Sequence, residues 1–80
     1  MISEAEKKNL KIGYKQTMKA LINKCEKVYV AEDCEERIRQ AVIKTASENG
    51  SAINYVATMQ DLGKLCGISR GASCAVIVNE

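Results

Sequence analysis

The apolar positions of this 80-residue chain change period several times, and each change marks an element. Met18, Leu21, Ile22 and Cys25 fall at i, i+3, i+4 and i+7, which predicts a helix from about Lys15 to Lys24 with that stripe buried. Before it, Leu10-Lys11-Ile12-Gly13 is a short strand candidate. Residues 3–9 fit a short amphipathic helix, with Ser3 placed to cap it and Glu6 three residues on. Lys27 to Ala31 is β-branched and aromatic, hence a strand.

Asp33, with Glu36 three residues later, has the spacing of a helix start. Ile38, Ala41, Val42, Thr45 and Ala46 would line the inner face of that helix, and Asn49-Gly50 would end it in a left-handed cap. Residues 52–57 form a third strand. Thr58 and Asp61 then open a helix that turns Met59, Leu62, Leu65 and Cys66 inward and stops at Gly67. An exposed loop, Gly67 to Ser73, leads into Cys74-Ala75-Val76-Ile77-Val78, a continuous apolar run suited to the middle of a sheet. The order α-β-α-β-α-β-α-β predicts an α/β fold, a three-layer α-β-α sandwich around a small mixed four-stranded sheet.

Composition agrees with one small domain over residues 1–80. Hydrophobic residues make up 46% of the chain, and Trp, Phe and Pro are absent. The net charge of +2 is modest, but it is unevenly placed. Residues 1–24 hold six lysines and two acids, residues 25–50 four basic and six acidic residues, and the last thirty two of each. The positive charge therefore gathers where the second helix starts.

Cys25, Cys34, Cys66 and Cys74 are far apart and no histidine accompanies them, which argues against a zinc site. With no signal peptide and no membrane-length apolar run, the cysteines read as reduced, mostly buried small hydrophobes in a cytoplasmic protein. No cofactor is expected. No P-loop, G-x-G-x-x-G or G-x-S-x-G pattern is present, and a nucleophilic cysteine would lack an evident base, so nothing points to an enzyme.

The candidate chemistry lies in Gly13-Tyr14-Lys15-Gln16-Thr17-Met18-Lys19. The first turn carries lysine and glutamine and no acid, although a helix dipole favours Asp or Glu there. From Lys15, Lys19 lies at roughly 40°, Asn23 at roughly 80° and Gln16 at roughly 100° around the helix. That arc is either the solvated face every amphipathic helix has or an anion-seeking surface. For the second, a helix N-terminus offers open N–H groups, lysines add charge, and a glutamine amide can read a purine edge. Gly13 removes a side chain where a partner backbone would approach. In the loop, Ile68 between glycines is either a hydrophobic contact folded back on its own helix or a platform for an unstacked base, with Ser69 and Arg70 beside it. The two candidates merge if they share one rim of the sandwich.

The stretches IGYKQTMKAL, VYVAED, INYVATMQDLGKLCGISRGAS and CAVIV, in that order, resemble the ribosomal protein L-seven-A-e family of kink-turn RNA-binding proteins. The likeness spans nearly the whole chain, is most specific over 56–77, and is nearest to the short bacterial members. It implies that Gly13, Lys15, Gln16 and Lys19 occupy the family's G-x-N-E-x-x-K positions, which contact tandem sheared G·A pairs. It also implies that Ile68, Ser69 and Arg70 meet an extruded nucleotide.

Three positions depart from the pattern. Lys15-Gln16 stands for Asn-Glu, Met59 for a frequent lysine, and Gly71 for a frequent proline. The partner implied is a structured RNA with a kink-turn, such as ribosomal RNA, with neither DNA nor membrane involved, and a monomer is the default. The alternative is a protein-interaction module on the same scaffold, whose lysines and Ile68 face an acidic, partly apolar partner.

Overall fold

The computed structural model describes residues 4–23 and 25–78. Its elements run α1 (Glu4–Lys7), β1 (Leu10–Ile12), α2 (Tyr14–Ile22), β2 (Cys25–Ala31), α3 (Glu36–Glu48), β3 (Ala52–Val56), α4 (Met59–Cys66) and β4 (Cys74–Val78). The strands form one sheet in the order β1-β4-β2-β3. β4 pairs antiparallel with β1 and β2, and β3 pairs parallel with β2 through the α3 crossover. The mixed four-stranded sheet expected from the sequence is thus present.

β4, the apolar run, sits between two strands, and Cys74, Ala75, Val76 and Ile77 are all buried. Neighbouring residues on a strand point to opposite faces, so both faces of the sheet are covered. α2 and α3 pack against each other and on the sheet, and α4 packs on β2, β4 and β3. α1 joins through a 3.0 Å ion pair from Lys27 to Glu6, and Lys7 reaches the cap at Gly67. Leu21, Val28, Val30, Val42, Leu62, Val76 and Ile77 form the centre of the core. Cys34, Cys66 and Cys74 are free and buried, as small hydrophobes would be.

Several local expectations are met by their chemistry. Thr58 Oγ1 accepts from the Asp61 amide at 3.0 Å and caps α4. Gly67 ends α4 at φ 77°, with the Ile68 amide donating to Gly63 O and the Gly67 amide to Lys64 O, the paired bonds of a Schellman cap. Gly50 ends α3 at φ 70° in the same way, with Ser51 N bonded to Ala46 O.

Other expectations need correction. α2 starts at Tyr14 and ends at Ile22, and Cys25 already belongs to β2, so the helical stripe does not extend to it. The buried side of α2 is Thr17, Ala20 and Leu21; Met18 is half-buried and Ile22 is 70% exposed. The stripe is rotated because the helix must face both β4 and α3, which brings the 17-20-21 edge inward.

Asp33 does not cap α3. Glu35 precedes that helix and makes no side-chain cap bond, while Asp33 Oδ1 accepts from the Met59 amide at 2.7 Å, at the start of α4. Met59 itself is partly exposed, held by its backbone more than by its side chain. Glu4–Lys7 forms only a single turn, and the expected cap at Ser3 lies outside the described residues, as does Lys24.

Candidate nucleic-acid interface

One rim of the sheet gathers the ends of β1, β2 and β3 and the beginning of β4. Three backbone bonds stitch it: Gly13 N to Cys74 O at 2.9 Å, Ala31 N to Ser73 O at 2.9 Å, and Glu32 N to Val56 O at 2.8 Å. The strand-to-helix turn at Gly13 and the loop from Gly67 to Ser73 therefore meet on that rim. The two candidate segments form one surface.

Gly13 sits at φ 106° and ψ 162°, a conformation open to glycine and costly for a side chain. A Cβ built there meets no atom within 4 Å, so the backbone angle requires the glycine and the space above it is free. Among the three longer described helices, α2 has no acid in its first turn and no side-chain cap, whereas α3 carries Glu36 and α4 carries Asp61 and the Thr58 cap.

Among the described residues nothing accepts from the amides of Tyr14, Lys15 and Gln16. Lys15 and Gln16 are exposed at that open N-terminus, and Lys19, in the last turn, is exposed on the same arc. Asn23, at the far end of the polar arc, is otherwise engaged: its side-chain amide donates to Lys19 O at 3.1 Å.

On the other side of the rim, Ile68 is half-buried and packs against the core, which its place in the Schellman cap explains. Its remaining surface lines a groove of about 420 Å³ together with Met59, Gln60, Lys64, Ser69 and Arg70; Asp33 and Gly71 complete the wall. The groove brings the cations Lys64 and Arg70 and the polar Gln60 and Ser69 beside an aliphatic surface, with the Asp33 carboxylate turned to the Met59 amide, a mixture suited to a planar, hydrogen-bonding group next to an anion.

The loop is fixed from beneath. Ala72 N donates to Met59 O at 2.9 Å, and a Cβ at Gly71 would lie 3.3 Å from Met59. A Cβ at Gly63 would overlap the Arg70 carbonyl oxygen. Gly63, on the buried side of α4, is thus what lets the loop lie flat on the helix.

Gln60, Lys64 and Gly63 were not singled out in the sequence. Gln60 and Lys64 stand four apart on one face of α4, and a glycine inside a helix costs about 1 kcal/mol against alanine, a signal of close approach. The acids Glu32, Asp33 and Glu35 on the β2–α3 connection and Glu36 at the start of α3 are exposed and limit the basic part of the rim on that side. Beneath it, burial pushes the Cys34 thiol up, and the nearby Cys74 thiol pushes it the same way. No group of three or more metal-ligating side chains occurs among the described residues. No helix there is long and apolar enough to cross a membrane.

Comparison with known proteins adds to this geometry. Residues 2–80 match the model of the Ribosomal protein L7Ae/L30e/S12e/Gadd45 family. A protein of Caldanaerobacter subterraneus subsp. tengcongensis, described as an RNA-binding protein, is 43% identical over 68 residues, covering 84% of this chain and 83% of its own length. An RNA-binding protein of Bacillus pumilus is 38% identical over 78 residues, covering 96% and 93%. A solved structure of a protein of unknown function from Bacillus halodurans superposes with a TM-score of 0.80 at 18% identity, over 90% of this chain and 73% of that one. That last likeness bears on the fold alone.

Proposed function

The chain belongs to the Ribosomal protein L7Ae/L30e/S12e/Gadd45 family, and we propose that it is an RNA-binding protein that recognises kink-turns. The observation that carries this reading is the open, cationic N-terminus of α2, tied through Gly13 and Cys74 to the Ile68–Arg70 loop. In the proposed complex, the free amides of the first turn and Lys15 and Lys19 meet backbone phosphates. Gln16 reads the purine edges of the tandem G·A pairs with its donor and acceptor. The groove beside Ile68 takes the extruded nucleotide, with Ser69 and Arg70 on its edge and phosphate.

The role is binding without catalysis. The protein holds the bent RNA better than the extended one and so shifts the RNA population toward the bend. Its setting would be the cytoplasm, on ribosomal or another structured RNA, where its thiols stay reduced.

The departures from the family's pattern set the character of the site. Gln16 accepts without the charge-assisted strength of a carboxylate, and Lys15 seeks phosphate where an amide would read a base. Affinity should therefore lean more on charge and less on sequence. The test is a titration into a kink-turn RNA and into a twin whose G·A pairs are replaced by Watson–Crick pairs, at near-physiological salt. Clear preference for the first is expected; equal, weak, salt-sensitive binding to both would reduce the rim to a basic surface and revive a protein partner.

A further inference from the structure

The sheet has two edges, and they are built differently. β1 is three residues long and carries the exposed Lys11 at its centre, a charge that discourages strand addition. β3, at the other edge, is five residues long and holds neither charge nor proline.

Its backbone orientation follows from the pairing with β2. Glu32 N donates to Val56 O, and Val56 is in register with Ala31, so Val56, Asn54 and Ala52 turn their polar groups toward β2. Strand residues alternate, so Ile53 and Tyr55 direct both N–H and C=O away from the sheet. No strand pairs with that edge among the described residues. Tyr55 is 55% exposed beside it.

We propose that β3 pairs antiparallel with β3 of a second copy of this chain, about a two-fold axis at Asn54. The register is self-complementary. Ile53 of each copy faces Tyr55 of the other, and each such pair exchanges two hydrogen bonds, making four in all. Tyr55 and Ile53 also share one face, so each ring lies on an aliphatic neighbour across the axis.

The two Asn54 residues form the closer, non-hydrogen-bonded pair, where their exposed amides can bond each other. No like charges oppose each other anywhere along the edge. The same patch serves both copies, as a closed two-fold interface requires. The joined sheet has eight strands, and antiparallel pairing points the two rims at opposite ends of it. A five-residue edge is small beside a standard interface, so the dimer forms in a concentration-dependent way.

The test is sedimentation equilibrium of the full chain without RNA, from roughly 10 µM to roughly 1 mM; it stands apart from the RNA-binding reading. The chain should dimerise over that range. Asn54→Lys and Asn54→Asp should each weaken self-association by roughly tenfold or more, because like charges then meet at the axis. An equimolar mixture of the two should associate again. Tyr55→Pro should abolish association while leaving the β2 bonds and the circular dichroism spectrum intact, because it removes only an outward N–H. A chain that stays monomeric to the top concentration, a single charged variant that dimerises like the parent, or a mixture that fails to reassociate would each overturn the proposal.

Discussion

The Asp33 carboxylate and the Met59 amide are 26 residues apart in sequence and 2.7 Å apart in the fold. This bond ties the turn after β2 to the first turn of α4, where the Thr58 cap serves the Asp61 amide. It satisfies one of the donors that every helix start leaves open, so Asp33 works as a cap supplied from outside its own helix. Replacing Asp33 with Ala should cost about 1 kcal/mol, the usual worth of a capping side chain. The loss should be local. Amide exchange should quicken at Met59 and Gln60 and stay unchanged at Glu36 to Ile38. Faster exchange at the start of α3 instead would return Asp33 to the role its sequence position predicts.

Gly63 gives a larger effect for a different reason. An added methyl overlaps the Arg70 carbonyl, and backbone cannot swing aside as a flexible side chain would. Gly63→Ala should destabilise the fold by about 1–3 kcal/mol through overpacking, even though alanine is the better helix former. Urea denaturation measures it. A stability equal to the parent's would mean the loop is free to lift from α4. The same lift should impair RNA binding, because Ser69 and Arg70 ride on that segment.

These two residues show what a linear reading can and cannot see. The strands, the left-handed caps at Gly50 and Gly67 and the central place of β4 were legible because each depends on local chemistry or on an unbroken apolar run. Asp33 has capping spacing with Glu36 in the linear sequence, and the competing geometry, in which it accepts from Met59, arises only when β2 and α4 are brought together. Ile22 is exposed despite its periodicity, which fixes which residues share a side but not which flank of that side the sheet takes. At the rim, the first turn of α2 stands out because it carries Lys15 and Gln16 and no acid, against the preference of the helix dipole, and Lys19 falls on the same polar arc. Gln60 and Lys64 do not, since charged and polar residues on an outer helix face are ordinary until a loop folds beside them.

The division of labour at α2 is open to measurement. Gln16→Ala should weaken binding to a kink-turn by about 1–3 kcal/mol if the amide reads a purine edge, and should spare binding to the twin lacking G·A pairs. Lys15→Ala should weaken both RNAs alike and lower the steepness of the salt dependence by about one unit. Fluorescence titrations at several salt concentrations separate the two. An unchanged affinity in the glutamine variant would leave Gln16 a bystander on a basic surface.

The last prediction concerns alkaline stability and Cys66. This thiol is buried in α4, and burial pushes it above its ordinary value of 9.0. Below that value folded and unfolded chains both hold the proton, so the group adds no pH dependence. As pH rises past it, the unfolded chain releases its proton while the folded chain retains it. The unfolded state then binds fewer protons, and stability falls with pH until the folded thiol also titrates. Thermal denaturation followed from about pH 7 to about pH 10.5 should therefore show a level region and then a decline. Cys66→Ala should start from a lower Tm, because it opens a small void, yet decline less steeply. Parallel declines in the parent and the variant would assign the alkaline loss to other groups and leave the Cys66 thiol in surroundings as wet as those of the unfolded chain.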